Sequence, residues 1–313
     1  MSVQVLDRKA RPRPSVRGLR AALTSGVARN QLWGAVFVLP LLILFVVFKF
    51  YPMVQAFWLS LNDYDLLTPP RFSGLRNYVR LVGDPLFRQS AGATAYYVIG
   101  TCVPLWVLSL GAALAFNQAI PAKNILRAAF FMPVIMPAIV VAIIWKFLYH
   151  PYGLVNTGLQ ALGLAGVDWL ADSAAVMPAF ILAGEWRLIP YFMIIYLAGL
   201  QAIPHEYYEA AAIDGASSVQ RFRHITLALL RPTILLVIIV SVILTSKVFV
   251  NALVITNGGP NGATRVIPLF IYQHAFTYFK MGLASAASVI LLLVLMIFTI
   301  VQLWLFSETD EPA

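Results

Sequence analysis

Charge is scarce in this chain. Asp, Glu, Lys and Arg make up 11% of its 313 residues, against 60% hydrophobic. A soluble globular domain carries about 25% charged residues, so that class is excluded. Cysteine is nearly absent as well. Cys102 stands alone, which excludes an intrachain disulfide and reads as a small packing residue in an apolar run. The chain has no GxxxxGK[ST] phosphate loop, so it is not expected to bind and hydrolyse ATP by itself. HExxH, CxxC and GxSxG are missing too. His150, His205, His224 and His274 lie in or near different loops without ligand spacing. Neither an enzyme nor a metal site is expected.

What the chain does have is long apolar runs. Six of them, at about 34–55, 91–117, 128–148, 176–200, 233–254 and 282–306, reach the roughly 20 residues needed to cross a bilayer. They are continuous rather than alternating, so they predict helices, which bond every backbone group internally in lipid. The expected fold class is an all-α polytopic membrane protein. One six-helix domain, 33–306, would lie between a basic tail, 1–32, and a short acidic tail, 307–313.

Lys and Arg set the expected orientation. The first tail holds Arg8, Lys9, Arg11, Arg13, Arg17, Arg20 and Arg29, and the loops on its side add Lys123, Arg127, Arg221, Arg223 and Arg231. That makes twelve on one side, against six in the opposite loops. Both termini are therefore expected in the cytoplasm. The net charge of +9 resides mostly in the tail, which suits contact with anionic lipid rather than nucleic acid. The long apolar run after it argues against a cleaved signal peptide.

Loop 60–90 carries an amphipathic stretch near Leu75–Val82, and loop 149–175 carries Trp169, a candidate interfacial anchor. Prolines recur within the spans at Pro40, Pro104, Pro133, Pro137 and Pro190. Each removes a backbone donor and predicts a kink.

Between spans four and five lies a polar insert. Pro204 suits a first helical turn, and Glu206 and Glu209 place acidic charge near that N-terminus. Glu209–Ala212 is a strong helix former, and Gly215 supplies the stop. Ser217 and Gln220 have capping-box spacing for a second helix, and Pro232 opens the next span. Two short helices joined by a glycine elbow, lined with the small residues Ala210, Ala211 and Ala216, would let another protein approach closely.

This segment resembles the EAA motif, EAAxxDGAxxxxxFxxIxLPxxxP, of permease subunits in binding-protein-dependent ABC importers. The chain matches at Glu209, Ala210, Ala211, Asp214, Gly215, Ala216, Phe222, Ile225, Leu227 and Pro232, and departs at Ala228, where the family has proline. AGLQAIP (198–204), ITNGGPNGAT (255–264) and GLASAASVIL (282–291) resemble further segments of the carbohydrate-uptake branch, of which the maltose permease large subunit is an example. The resemblance implies that Glu209, Ala210, Ala211, Asp214, Gly215 and Ala216 couple the chain to cytoplasmic ATPase subunits. It implies a second permease subunit, two ATPase subunits that bind the ATP and Mg, and an extracytoplasmic substrate-binding protein. No cofactor is expected in this chain. The implied location is the cytoplasmic membrane of a bacterium or archaeon.

Ionisable residues inside spans are costly and mark candidate pathways. Lys49 and Lys146 lie near the ends of their runs, where snorkelling accounts for them. Glu185 and Arg187 lie near mid-bilayer. Tyr191 shares a face with Arg187, as Asn251 does with Lys247. Glu185, Arg187, Tyr191, Lys247 and Asn251 are therefore the expected substrate pathway. The competing reading is a packing ion pair such as Glu185 with Lys247. Family members typically have Asp where this chain has Val250, so their contacts do not transfer. A sugar is the expected cargo. A sugar-phosphate-like anion such as glycerol 3-phosphate is the alternative, and a stand-alone secondary transporter is the remote one.

Overall fold

The computed structural model describes residues 26–118 and 121–307. The basic segment before Gly26 and the acidic segment after Ser307 lie outside the described residues. The chain divides into two compact units, one ending at Ala56 and the other beginning at Phe57.

The first unit is helical. Helix α1 (Gly26–Phe45) passes through a π turn at Val46–Phe50 into α2 (Tyr51–Ser60). Trp33–Ser60 forms a single 28-residue candidate span. The helix runs past the apolar stretch, so Lys49 lies midway along it rather than near its end.

In the second unit, strands β1 (Asn62–Asp63) and β2 (Arg71–Phe72) form a small antiparallel pair that pairs Asn62 with Phe72. The expected amphipathic stretch is α3 (Arg76–Gly83). Its buried Asn77 donates to the carbonyls of Ser60 and Asn62, at 2.9 and 2.8 Å. Span two is α4 (Pro85–Asn117), capped by the Asp84 side chain, which accepts from Leu86 N–H at 2.8 Å. It begins ahead of the apolar run because this cap and a first-turn proline set its start.

Span three is broken. Helices α5 (Lys123–Ile135) and α6 (Ala138–Leu148) meet at 98°. Pro133 and Pro137 bracket the bend. A residue before proline is driven out of the helical region, and Met136 takes φ −67°, ψ 139°. Pro104 and Pro190, by contrast, sit inside uninterrupted helices.

Helix α7 (Leu154–Ala161) lies in the following loop. Asn156, buried beneath it, bonds both the carbonyl and the N–H of Val167 at 3.0 Å and accepts from Trp169 Nε1 at 3.0 Å. Trp169 also packs on Tyr149, with ring centroids 5.7 Å apart. It is a packing residue as well as an amphipathic side chain.

Span four is α8 (Val176–Gln201). The insert follows as α9 (Glu206–Ile213) and α10 (Ser218–Leu229), then span five as α11 (Arg231–Ser246), bent 64° from α10. The apolar run through 254 predicts a longer span, but the helix stops at Ser246. Neither proline nor glycine stands there. Thr245 Oγ1, in the last turn, bonds back to the carbonyls of Ser241 and Val242 at 2.8 and 3.2 Å, as Thr94 and Ser109 bond back within the unbroken α4. A π turn at Ala252–Thr256 resumes the path. Helix α12 (Ile267–Tyr272) precedes span six, α13 (Met281–Ser307).

Among the described residues, four helices are long and apolar enough to cross a membrane by themselves, and six candidate spans are reached when each bent pair counts as one. Tyr97, Trp145, Tyr149, Phe180 and Leu269 belong to one buried cluster, and Leu105, Phe192, Tyr196, Leu230 and Val237 to another. The clusters tie α4, α8 and α11 together, while Leu293, Ile297 and Leu303 on α13 face outward, as a lipid-facing surface would.

Candidate functional site

Two features stand apart from this apolar framework: a cavity into which several polar side chains open, and the exposed insert.

The cavity has a volume of about 470 Å³. Helix α8 supplies Arg187 and Tyr191, and the broken end of α11 supplies Lys247 and Asn251. Four of the five expected pathway residues therefore meet in one space. They do so because Gly184, Arg187, Leu188 and Tyr191 recur at helical spacing along one face of α8. The break after Ser246 turns Lys247 through Asn251 toward that face.

Glu185 is the exception. It does not line the cavity, although the sequence reading grouped it with Arg187. Successive helical residues are rotated by about 100°, so side chains two positions apart face nearly opposite ways. Glu185 is buried with both carboxylate oxygens unpartnered. It forms no ion pair with Lys247, so the packing-bridge reading is not realised.

The sequence reading missed Tyr97, Val134, Ala138 and Thr245, which complete the wall. Tyr97 is almost wholly buried and stacks on Phe180, centroids 4.6 Å apart. Gly184 makes room for it: a Cβ at position 184 would collide with the Tyr97 hydroxyl. Val134 and Ala138 flank the 98° bend and enter the wall because of it. Gly184 was missed as well, although its helical spacing to Arg187 and Tyr191 is a signal that could have found it. The others carry no signal in sequence.

The side chains of Arg187, Tyr191, Lys247 and Asn251 have no hydrogen-bond partner among the described residues, and no carboxylate lines the cavity. The site offers the guanidinium fork, the ammonium, a carboxamide and a phenol. These are groups that bind oxygen atoms, not groups that make or break bonds.

The insert matches its sequence reading closely. Helix α9 ends in a paired closure: Ala216 N–H donates to Ala211 O at 2.8 Å, and Gly215 N–H to Ala212 O at 3.2 Å. This is the Schellman arrangement, which requires a left-handed residue. Gly215 supplies it at φ +76°. Ser217 N–H then donates to Gln220 Oε1 at 2.8 Å, and Gln220 N–H to Ser217 Oγ at 3.4 Å, completing the capping box. Tyr208 and Thr226 hydroxyls bond at 3.0 Å and hold the two helices together.

Glu209, Ala210, Asp214 and Gly215 are exposed, and Ala211 and Ala216 are half-buried. Glu209 lies 3.1 Å from His205 Nδ1, one turn away. Ile213 is 87% exposed and Val219 75%, so large apolar side chains flank the elbow in the open. Ala228, where the motif has proline, sits exposed within α10, which continues unbroken to Leu229.

Cavity and insert share their helices. Helix α8, with Arg187 and Tyr191, leads into the insert, and α11, which ends just before Lys247, leads out. From Arg231 to Lys247 the helical path is about 24 Å.

Known proteins share this chain's sequence and fold. Residues 107–309 match the family model described as "Binding-protein-dependent transport system inner membrane component". The trehalose/maltose transport system permease protein MalF of Thermococcus litoralis is 37% identical over 280 residues, covering 88% of this chain and 94% of its own. The multiple sugar-binding transport system permease protein MsmF of Streptococcus mutans is 34% identical over 286 residues, covering 90% and 97%. A crystal structure of a bacterial ABC transporter involved in the import of the acidic polysaccharide alginate has a chain of the same fold. Its TM-score is 0.80 at 22% identity, over 94% of this chain and 99% of that one. With that fold and with a family match spanning more than half its length, the chain belongs to the binding-protein-dependent transport system inner membrane components, the permease subunits of ABC importers.

Proposed function

We propose that this chain is the transmembrane permease subunit of an ATP-driven importer that moves a sugar across the cytoplasmic membrane by alternating access. One observation carries the reading. The helices that wall the cavity, α8 and α11, are the same two that flank the exposed insert. A force on the insert therefore reaches both walls through rigid helices.

In this mechanism Glu209, Ala210, Ala211, Asp214, Gly215 and Ala216 seat the insert on a cytoplasmic ATPase subunit. Ile213 and Val219 add apolar contact at the rim. Closure of two ATPase subunits around ATP and Mg moves α9 and α10 and tilts α8 and α11. The cavity then opens alternately to either side. Arg187, Tyr191, Lys247 and Asn251 hold the cargo in passage. A second permease subunit closes the cavity from the other side, and an extracytoplasmic binding protein delivers the cargo. Both termini lie in the cytoplasm. The sugar assignment draws on relatives named for trehalose/maltose and multiple-sugar transport.

Co-purification tests the reading. The tagged chain is expected to bring down a second permease and two ATPase subunits, with ATPase activity that rises when loaded binding protein is added. A chain that transports alone in proteoliposomes, without nucleotide, would overturn it.

A further inference from the structure

The cavity holds two cations and no anion. Arg187 and Lys247 both line it, no Asp or Glu does, and neither cation has an ion-pair or hydrogen-bond partner among the described residues. Glu185, the one acidic residue of α8, is turned into the packed interior. Arg187 is half-buried and Lys247 exposed in the isolated chain; within a membrane-spanning segment an unpaired charge is expensive and persists where something of opposite sign visits it. The neutral groups beside the cations, Tyr191 and Asn251, make no side-chain hydrogen bond among the described residues either.

We propose that the cargo is an acidic sugar, one whose carboxylate, sulfonate or phosphate is held between Arg187 and Lys247 while its hydroxyls meet Asn251 and Tyr191. This deepens the importer reading and rests on it. Two features favour an anion over a plain hydroxyl surface. A guanidinium is a planar fork that matches a carboxylate or phosphate at two points. An ammonium adds a mobile point charge from the residue that follows α11. A neutral sugar would leave both charges uncompensated, and Asn, Gln or Tyr would serve its hydroxyls without that cost. The order of events follows from the break after Ser246. Lys247 lies on the segment continuous with α11 and Arg187 on α8, so an anion bridging them links the two helices that flank the insert. Cargo binding and insert position are then mechanically connected through one charged contact.

The test uses the whole importer with its binding protein in proteoliposomes. The binding protein is first titrated calorimetrically with maltose, trehalose, glycerol 3-phosphate and a glucuronate-terminated disaccharide. Uptake of whatever loads is then measured at saturating binding protein for the native chain and for Arg187→Met, Lys247→Met and Lys247→Arg. Each methionine variant is expected to slow uptake of an acidic probe about ten- to a hundredfold, the range for losing a charged hydrogen bond. Lys247→Arg is expected to restore most of it, which a packing role would not. Loading and import of neutral probes alone would overturn the acidic-cargo proposal and leave the importer reading standing. Equal import of an acidic probe by native and methionine variants would also overturn it. So would loss of the second permease from the methionine variants on co-purification, because the cations would then answer carboxylates of that subunit. Import of no probe by an assembled complex would sink the importer reading itself.

Discussion

Gly215 offers a graded test of how the insert works. Its φ of +76° closes the two hydrogen bonds that end α9, and a Cβ built there meets nothing within 4 Å. Substitution therefore acts through the backbone alone within this chain. Alanine at a left-handed position costs about 1–2 kcal/mol, shifting the elbow equilibrium about 5- to 30-fold. Asparagine, whose side chain tolerates that region, costs less. Proline fixes φ near −65° and removes the N–H that donates to Ala212 O, so the elbow is lost at a cost of about 3 kcal/mol or more. The assay is cargo imported per ATP hydrolysed by the reconstituted complex with loaded binding protein. Expression and co-purification confirm that each variant is assembled. The expected order of coupling is native, then Gly215→Asn, then Gly215→Ala, with Gly215→Pro hydrolysing ATP without importing. Native coupling in Gly215→Pro would refute the role of the elbow. Equal loss in Gly215→Ala and Gly215→Pro would refute the backbone argument, pointing instead to a partner surface pressed against Cα.

Three further outcomes follow from local geometry. Gly184→Val forces Tyr97 from its packed position and is expected to destabilise the complex by about 1–3 kcal/mol, read as a lower melting temperature, with slower uptake. Asn156→Ala removes the side chain that bonds both Val167 backbone groups and Trp169 Nε1. Loop 149–175 is expected to become cleavable by added protease while the spans stay intact, at a cost of about 1–3 kcal/mol for the orphaned groups. His274, in the segment between spans five and six, is held below the usual histidine range by burial and stacks on Phe270 at 3.8 Å. Its unfolded form takes up a proton first, so stability is full above about pH 6.5 and falls as pH drops toward the lower folded value. Thermal melts at stepped pH are expected to lose part of this acid sensitivity in His274→Gln, and an unchanged profile would count against it.

The elbow was legible because it is local. Ser217 and Gln220 cap their own helix, and Gly215 closes the helix before it, so a dozen consecutive residues contain the whole cause. The continuous spans were legible for the same reason. The breaks were less so. Pro133 and Pro137 signalled a bend in span three, but so did Pro104 and Pro190, which lie in unbroken helices. Span five breaks after Ser246, where neither proline nor glycine marks the sequence.

The cavity divides the same way. Helical spacing placed Arg187 with Tyr191 and Lys247 with Asn251, because neighbours on one helix are set by 3.6 residues per turn. Spacing could not bring the two pairs together, turn Glu185 away or recruit Tyr97 from a span roughly 90 residues distant. Those outcomes depend on which helices pack and where they bend. By itself the sequence determined the class of molecule, its continuous spans and its polar two-helix insert, since each is governed by contacts between near neighbours in the chain. Only the tertiary structure decided that two cations without an ion-pair partner among the described residues line one cavity, because charge compensation depends on every element packed around it.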